Sequence, residues 1–83
     1  MVVTNIIPCI KVTKENNMSG MDIYIDLGSK IRVTDNEGKV IEGRLLFLEL
    51  AKDEEEDDML YLLLDNKKQF SIGISYIIDI EEL

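Results

Sequence analysis

Apolar and polar residues alternate along most of the chain with the two-residue period of a β-strand. In residues 30–34, for example, Ile31 and Val33 are each flanked by polar residues. Five strands are predicted from residue 30 onward, at residues 30–34, 39–50, 59–64, 69–74 and 78–81. The intervening segments are rich in Asp, Asn, Gly and Lys, and most are typical of tight turns. The pattern therefore predicts an all-β or mainly β domain.

Two glycines suggest how these strands are arranged. Gly38 ends the predicted turn at residues 35–38 and is free to adopt a positive φ. Gly43 interrupts the long second strand, and a glycine inside a strand often marks a sharp bend. Strong bending is what a small sheet needs to become a closed or nearly closed barrel. A short 3₁₀ corner is predicted at residues 75–77, with Ser75 available to cap it.

The N-terminal part of the chain has a less regular pattern. Residues 2–13 are rich in β-branched side chains and could form a strand, but Pro8 interrupts them, and proline is confined to edges and bulges in sheets. Residues 14–20 are polar and indicate a linker. Residues 21–27 alternate like a strand, and a short helix is the alternative interpretation. We therefore divide the chain into an N-terminal extension, residues 1–20, and a small β-domain, residues 21–83.

The composition limits what such a domain can bind. A chain of 83 residues with a net charge of −8 has one modest core and repels phosphate backbones and anionic membranes. Its apolar runs are too short for a membrane span, and its N-terminus does not resemble a signal peptide. The single cysteine, Cys9, excludes an intrachain disulfide and is typical of a reducing, cytoplasmic setting.

The residue types that usually carry catalysis are missing or isolated. The chain has no histidine, which removes the commonest general base and the commonest metal ligand. Cys9 follows Pro8 in an apolar stretch, where a buried or incidental thiol is expected, and no glycine-rich phosphate loop is present. We expect a protein that is not an enzyme, with no catalytic, cofactor or metal site.

Three segments resemble the Sm-like family of small β-barrels. They are residues 27–34 (LGSKIRVT), residues 36–45 (NEGKVIEGRL), with both glycines of the family hairpin, and residues 72–80 (IGISYIIDI). The resemblance covers about residues 27–83 and implies a strongly bent, five-stranded SH3-like barrel preceded by a short helix near residues 21–27. It also implies closed rings, in which the last strand of one subunit pairs with the fourth strand of the next. Such rings commonly bind RNA.

The positions of the family's RNA pocket are substituted in this chain. Leu60 stands where the family has an asparagine, and Ile72 stands where it has an arginine or lysine. An isoleucine cannot hydrogen-bond a base or a phosphate. The neighbouring acidic run would also oppose the phosphate contacts that supply most non-specific affinity. Binding of RNA in the usual pocket is therefore not expected.

The acidic run is the most unusual local feature of the sequence. It consists of Asp53, Glu54, Glu55, Glu56, Asp57 and Asp58. Three interpretations are open: a solvated loop that repels its own copies, a docking site for a basic protein segment, or a site for a hard cation. The run lacks the glycine and the spacing of an EF-hand loop.

The last two strands indicate self-association. Apolar residues lie on both of their faces, although a strand in a small domain buries only one face. The predicted interface residues are Phe70, Ile72, Ile74, Ile78 and Ile80. An uncovered apolar edge promotes aggregation, so a partner that covers it, such as a second copy of the chain, is expected.

Two further groups of side chains have alternative interpretations. Phe47, Tyr61, Phe70 and Tyr76 could stack on bases or belong to the core or an interface. Lys67 and Lys68, with Lys30, Arg32, Lys39 and Arg44, could form a small basic patch or be scattered surface charges.

The sequence thus predicts a non-catalytic, Sm-like assembly or interaction module that forms homo-oligomers through strand edges. One alternative is an RNA-binding Sm-like ring that uses an atypical surface. A second is a monomeric SH3-like module that binds protein segments.

Overall fold

The computed structural model describes all 83 residues and confirms a mainly β protein. It contains seven strands and one 3₁₀ turn, and it has no α-helix. The strands are β1 (Cys9–Glu15), β2 (Gly20–Asp26), β3 (Lys30–Asp35), β4 (Val40–Glu49), β5 (Met59–Leu63), β6 (Gln69–Gly73) and β7 (Ile77–Glu82). No helix that could cross a membrane is present.

The five strands predicted after residue 30 form one antiparallel sheet with the order β6-β5-β4-β3-β7. β1 and β2 form a separate two-stranded antiparallel sheet. β6 and β7 lie at opposite edges of the larger sheet and do not pair with each other. The sequence predicted a closed or a nearly closed barrel. The closed barrel is wrong, because no hydrogen-bonded ladder joins β6 to β7.

β4 connects two halves of the larger sheet. Its first half, Val40–Arg44, pairs with β3, and its second half, Arg44–Glu49, pairs with β5. Gly43 lies where the strand changes partner. A Cβ atom at this position would lie 2.7 Å from the carbonyl oxygen of Leu63, a separation that forces a shift of the backbone. The glycine thus permits the close approach of β4 and β5.

The turn between β3 and β4 has the predicted geometry. Gly38 has a φ of +83°, a region that is accessible to glycine at little cost. The carboxylate of Asp35 accepts hydrogen bonds from the backbone N–H groups of Glu37 and Lys39, at 2.9 and 2.8 Å. These bonds fix the register in which the two strands leave the turn.

The N-terminal region forms a hairpin. β1 pairs with β2 from Cys9 opposite Asp26 to Glu15 opposite Gly20, around a turn at residues 16–19. The predicted boundary after residue 20 falls inside this hairpin. The short helix that the Sm-like resemblance implies near residues 21–27 is wrong. The alternation of that segment places Ile23 and Ile25 on one face of β2, where both contact the core.

The core contains nine buried aliphatic side chains. Eight come from the five-stranded sheet, and Ile25 comes from the hairpin. The eight are Ile31, Val33, Ile41, Leu45, Leu60, Leu62, Ile72 and Ile80. The hairpin therefore packs over the inner face of the larger sheet. The segment between β2 and β3 also joins the hairpin to β4, because Gly28 donates a backbone hydrogen bond to the carbonyl of Leu45 at 2.7 Å.

A 3₁₀ turn, Ile74–Tyr76, separates β6 from β7, one residue earlier than predicted. Ser75 does not cap this turn. Its hydroxyl group instead donates a hydrogen bond to the carboxylate of Asp57 at 2.6 Å.

Candidate functional site

Four strand edges of the structure have no neighbouring strand. In the larger sheet these are the outer edges of β6 and β7, and in the hairpin each strand pairs only with the other. An unpaired edge presents a row of backbone N–H and C=O groups to which another strand can bind. These edges are therefore the parts of the fold best suited to association.

A groove runs between the β1 and β7 edges, and we call it the inter-sheet groove. It has a volume of about 590 Å³, and most of its lining residues are hydrophobic. Its walls are residues 10–15 of β1 and residues 77–80 of β7, and Leu48, Leu60 and Ile74 complete the lining. The groove is thus a channel of mixed polar and apolar surface, bounded by two strands with free edges.

One ion pair connects the two walls of the groove. The ammonium group of Lys14 lies 2.7 Å from a carboxylate oxygen of Asp79. Its hydrogen bond is the main reason that the pKa of Asp79 lies below its ordinary value, while burial of the carboxyl group acts in the opposite direction. The pair holds β1 against β7, although both side chains keep about a third of their surface in water.

The predicted interface residues fall into two groups in the structure. The side chains of Ile72 and Ile80 are buried in the core of the same chain, and Phe70 packs against that core. Ile74 and Ile78 are 44% and 65% exposed, and both line the inter-sheet groove. The last two therefore have the most exposed side chains of the five.

The two family RNA-pocket positions lie next to each other in the core. Leu60 on β5 is paired with Ile72 on β6, and the two residues are 1% and 9% exposed. Their apolar character contributes to packing. No polar group is available at these positions to bind a nucleotide.

The acidic run divides into an exposed half and a hydrogen-bonded half. Glu54, Glu55 and Glu56 are exposed. The carboxylate of Asp53 accepts hydrogen bonds from the backbone N–H groups of Glu55 and Glu56, which shapes the loop. The acidic residues do not form a group that could hold a metal ion.

The last two acids of the run hold the loop to the sheet. Asp57 accepts hydrogen bonds from both the backbone N–H and the hydroxyl group of Ser75, and these bonds lower the pKa of Asp57. Asp58 accepts a hydrogen bond from the backbone N–H of Ala51 at 2.7 Å. These two carboxylates therefore have a structural role that the residue pattern alone did not show.

The aromatic side chains do not form a common platform. Phe47 and Tyr61 stack on each other across β4 and β5, with ring centroids 4.4 Å apart and ring planes 17° apart. Phe70 packs against the core, and Tyr76 is 56% exposed in the 3₁₀ turn. A row of aromatic rings that could bind successive bases is therefore absent.

The basic residues are also divided among separate contacts. The guanidinium group of Arg32 lies 2.9 Å from Glu42 and 3.7 Å from Glu81. Arg44 donates a hydrogen bond to the carbonyl of Gly28 at 3.0 Å. Lys67, with a φ of +68°, and Lys68 are exposed in the turn between β5 and β6. Two of the basic side chains thus serve local contacts within the fold.

The pattern of residues 14–20 predicts a linker and therefore does not predict the groove. Lys14 and Glu15 instead complete β1, and Gly20 begins β2. The alternation of Ile10 and Val12 with polar residues was a usable signal for β1. The turn was signalled by Asn16, whose side chain accepts hydrogen bonds from the backbone N–H groups of Met18 and Ser19.

No protein-family model, no curated protein and no solved structure matches the chain.

Proposed function

We propose that this protein is a non-catalytic, Sm-like assembly module whose copies associate through free strand edges. The observation that carries the proposal is the open ladder of the five-stranded sheet, which leaves the outer edges of β6 and β7 unpaired. Ile74 and Ile78 add exposed apolar surface next to these edges. Pairing with another copy would satisfy the free backbone groups and remove this apolar surface from water.

The position of the free edges supports the Sm-like type. β6 is the fourth strand of the larger sheet in chain order, and β7 is the fifth. The family's rings require those two edges to be available, because each ring contact pairs the last strand of one subunit with the fourth strand of the next. The glycine at the point where β4 changes partner also agrees with the family hairpin.

The net charge of the chain favours certain classes of partner, and its cysteine favours a certain cellular compartment. A net charge of −8 opposes close contact with nucleic acid and favours partners that are neutral or basic. The exposed thiol of Cys9 suits a reducing compartment, and we place the protein in the cytoplasm as part of the proposal.

Light scattering on a size-exclusion column tests the proposal directly. We expect the wild-type chain to form a multimer at micromolar concentration. The substitution Ile78→Glu, on β7, should shift the mass toward that of a monomer, because it places a charge in an apolar contact. Tyr24→Glu is the matched control, since Tyr24 is 63% exposed but lies on the hairpin outside the groove. A monomer at all concentrations would overturn the proposal.

The inter-sheet groove favours one alternative function. A monomeric SH3-like module could bind an extended protein segment along the free β7 edge, with apolar side chains in the groove. A monomeric mass together with capture of a peptide at Ile74 and Ile78 would indicate this function. A salt-sensitive complex with single-stranded RNA would instead indicate the RNA-binding ring.

A further inference from the structure

The first seven residues are all exposed in the structure and belong to no strand. We call residues 1–7 the arm. Its sequence, MVVTNII, is rich in β-branched side chains and has no charged side chain. Val2, Val3 and Ile6 are 84%, 78% and 83% exposed, while Ile7 is 50% exposed. A short uncharged segment with high β-propensity readily adds to a strand edge when it is left uncovered.

The arm and the inter-sheet groove match in charge. The chain as a whole carries a net charge of −8, so most surfaces of two copies repel each other. The groove is an exception, because its lining contains two lysines, one glutamate and one aspartate, which sum to zero. The arm has no acidic side chain, so it can enter the groove of another copy without the repulsion between negative charges that opposes other contacts.

The arm and the groove also match in length and apolar character. Residues 10–15 of β1 form one wall of the groove and span about 20 Å at the rise of an extended strand. Residues 2–7 of the arm, when extended, cover the same distance. Because β1 pairs with β2 on one side only, its other side is available for a third strand.

We propose that the arm of one copy binds in the inter-sheet groove of a second copy, as a strand added to β1. The proposal rests on the self-association proposed above and names one contact within it. The arm of one copy then covers Ile74 and Ile78 of the other.

The alternation of a strand specifies which arm residues face the floor of the groove. Val2, Thr4 and Ile6 share one face, and Val3, Asn5 and Ile7 share the other. Ile7 is already half covered by its own copy, whereas Val2 and Ile6 are almost fully exposed. Val2 and Ile6 are therefore assigned to the groove.

Mass measurements on two double variants of the full chain test this assignment. Val2→Ser with Ile6→Ser should raise the dissociation constant of the assembly at least about tenfold, since two aliphatic side chains lose their buried contact. Val3→Ser with Ile7→Ser is the matched control, and it should change the constant less than about threefold. Equal effects of the two double variants would contradict the assignment of faces and overturn the inferred contact.

NMR on a mixed sample identifies the contact itself. Isotope-labelled and unlabelled wild-type chains are mixed, and only contacts between copies are recorded. We expect methyl contacts from Val2 and Ile6 to Leu48 and Ile74. Intact assembly without these contacts, and still sensitive to Ile78→Glu, would overturn the arm contact and leave the proposed function standing. A monomeric wild-type chain would overturn both proposals, and contacts confined to one copy would overturn the exchange between copies.

Discussion

The two sheets of this protein differ in how much each one contributes to the core and to stability. The five-stranded sheet contributes eight of the nine core residues, whereas the hairpin contributes only Ile25. A two-stranded hairpin is at best marginally stable alone in water, and a sheet of three or more strands with an apolar face can be stable. The hairpin therefore depends on the larger sheet for its stability. It also forms one wall of the groove, and its first strand is preceded by the arm.

Leu62→Ala is expected to have the largest effect on this arrangement. Leu62 is 0% exposed on β5, with its side chain in the core, so its truncation should lower the free energy of unfolding by about 3 kcal/mol. Urea denaturation monitored by circular dichroism measures the change. Leu50→Ala is the control, because Leu50 is 70% exposed and should lose less than about 0.5 kcal/mol. A small effect of Leu62→Ala would show that the larger sheet is not the stabilising unit.

Ile25→Ala should weaken the contact between the sheets before it weakens the larger sheet. Ile25 is 1% exposed, and its truncation should cost about 2 kcal/mol. Because the hairpin depends on this side chain, hydrogen exchange of the β1 and β2 amides should accelerate more than exchange of the β3, β4 and β5 amides. Equal acceleration in both sheets would mean that the protein opens as a single unit.

Lys14→Met should have the smallest effect, because it removes only a partly exposed ion pair between β1 and β7. We expect a loss of at most about 0.5 kcal/mol at neutral pH. Folding lowers the pKa of Asp79, so the pair stabilises the protein above the unfolded-state pKa of about 3.9. That stabilisation is lost as the pH falls through the folded-state pKa.

The pH dependence separates this ion pair from general charge effects. In Lys14→Met, an NMR titration should find the pKa of Asp79 closer to its ordinary value. Stability at pH 3 should then differ less between the variant and the wild type than at pH 6. Lys52→Met is the control, since Lys52 is exposed and forms no ion pair in the structure. An unchanged Asp79 titration in Lys14→Met would rule out the pair in solution.

The sequence by itself determined the strands of the larger sheet, because their alternation and turn residues are local signals. Residues 30–34, for example, predict β3 from Ile31 and Val33 alone, and Gly38 predicts the turn that follows. The special role of Gly43 was also visible, although only the structure shows that it lies against the carbonyl of Leu63. For the candidate site, the interface predicted from the sequence stays a prediction, and two of its five residues, Ile74 and Ile78, are exposed in the structure.

Only the tertiary structure decided how these elements meet. Ile72 and Ile78 look alike in the sequence, but one packs in the core and the other lines the groove. Asp57 is one of six consecutive acids, yet its bonds to Ser75 join residues that are 18 positions apart. The groove arises from β1 and β7, near opposite ends of the chain. Contacts over such separations depend on how the whole chain packs, and the alternation of neighbouring residues carries no information about them.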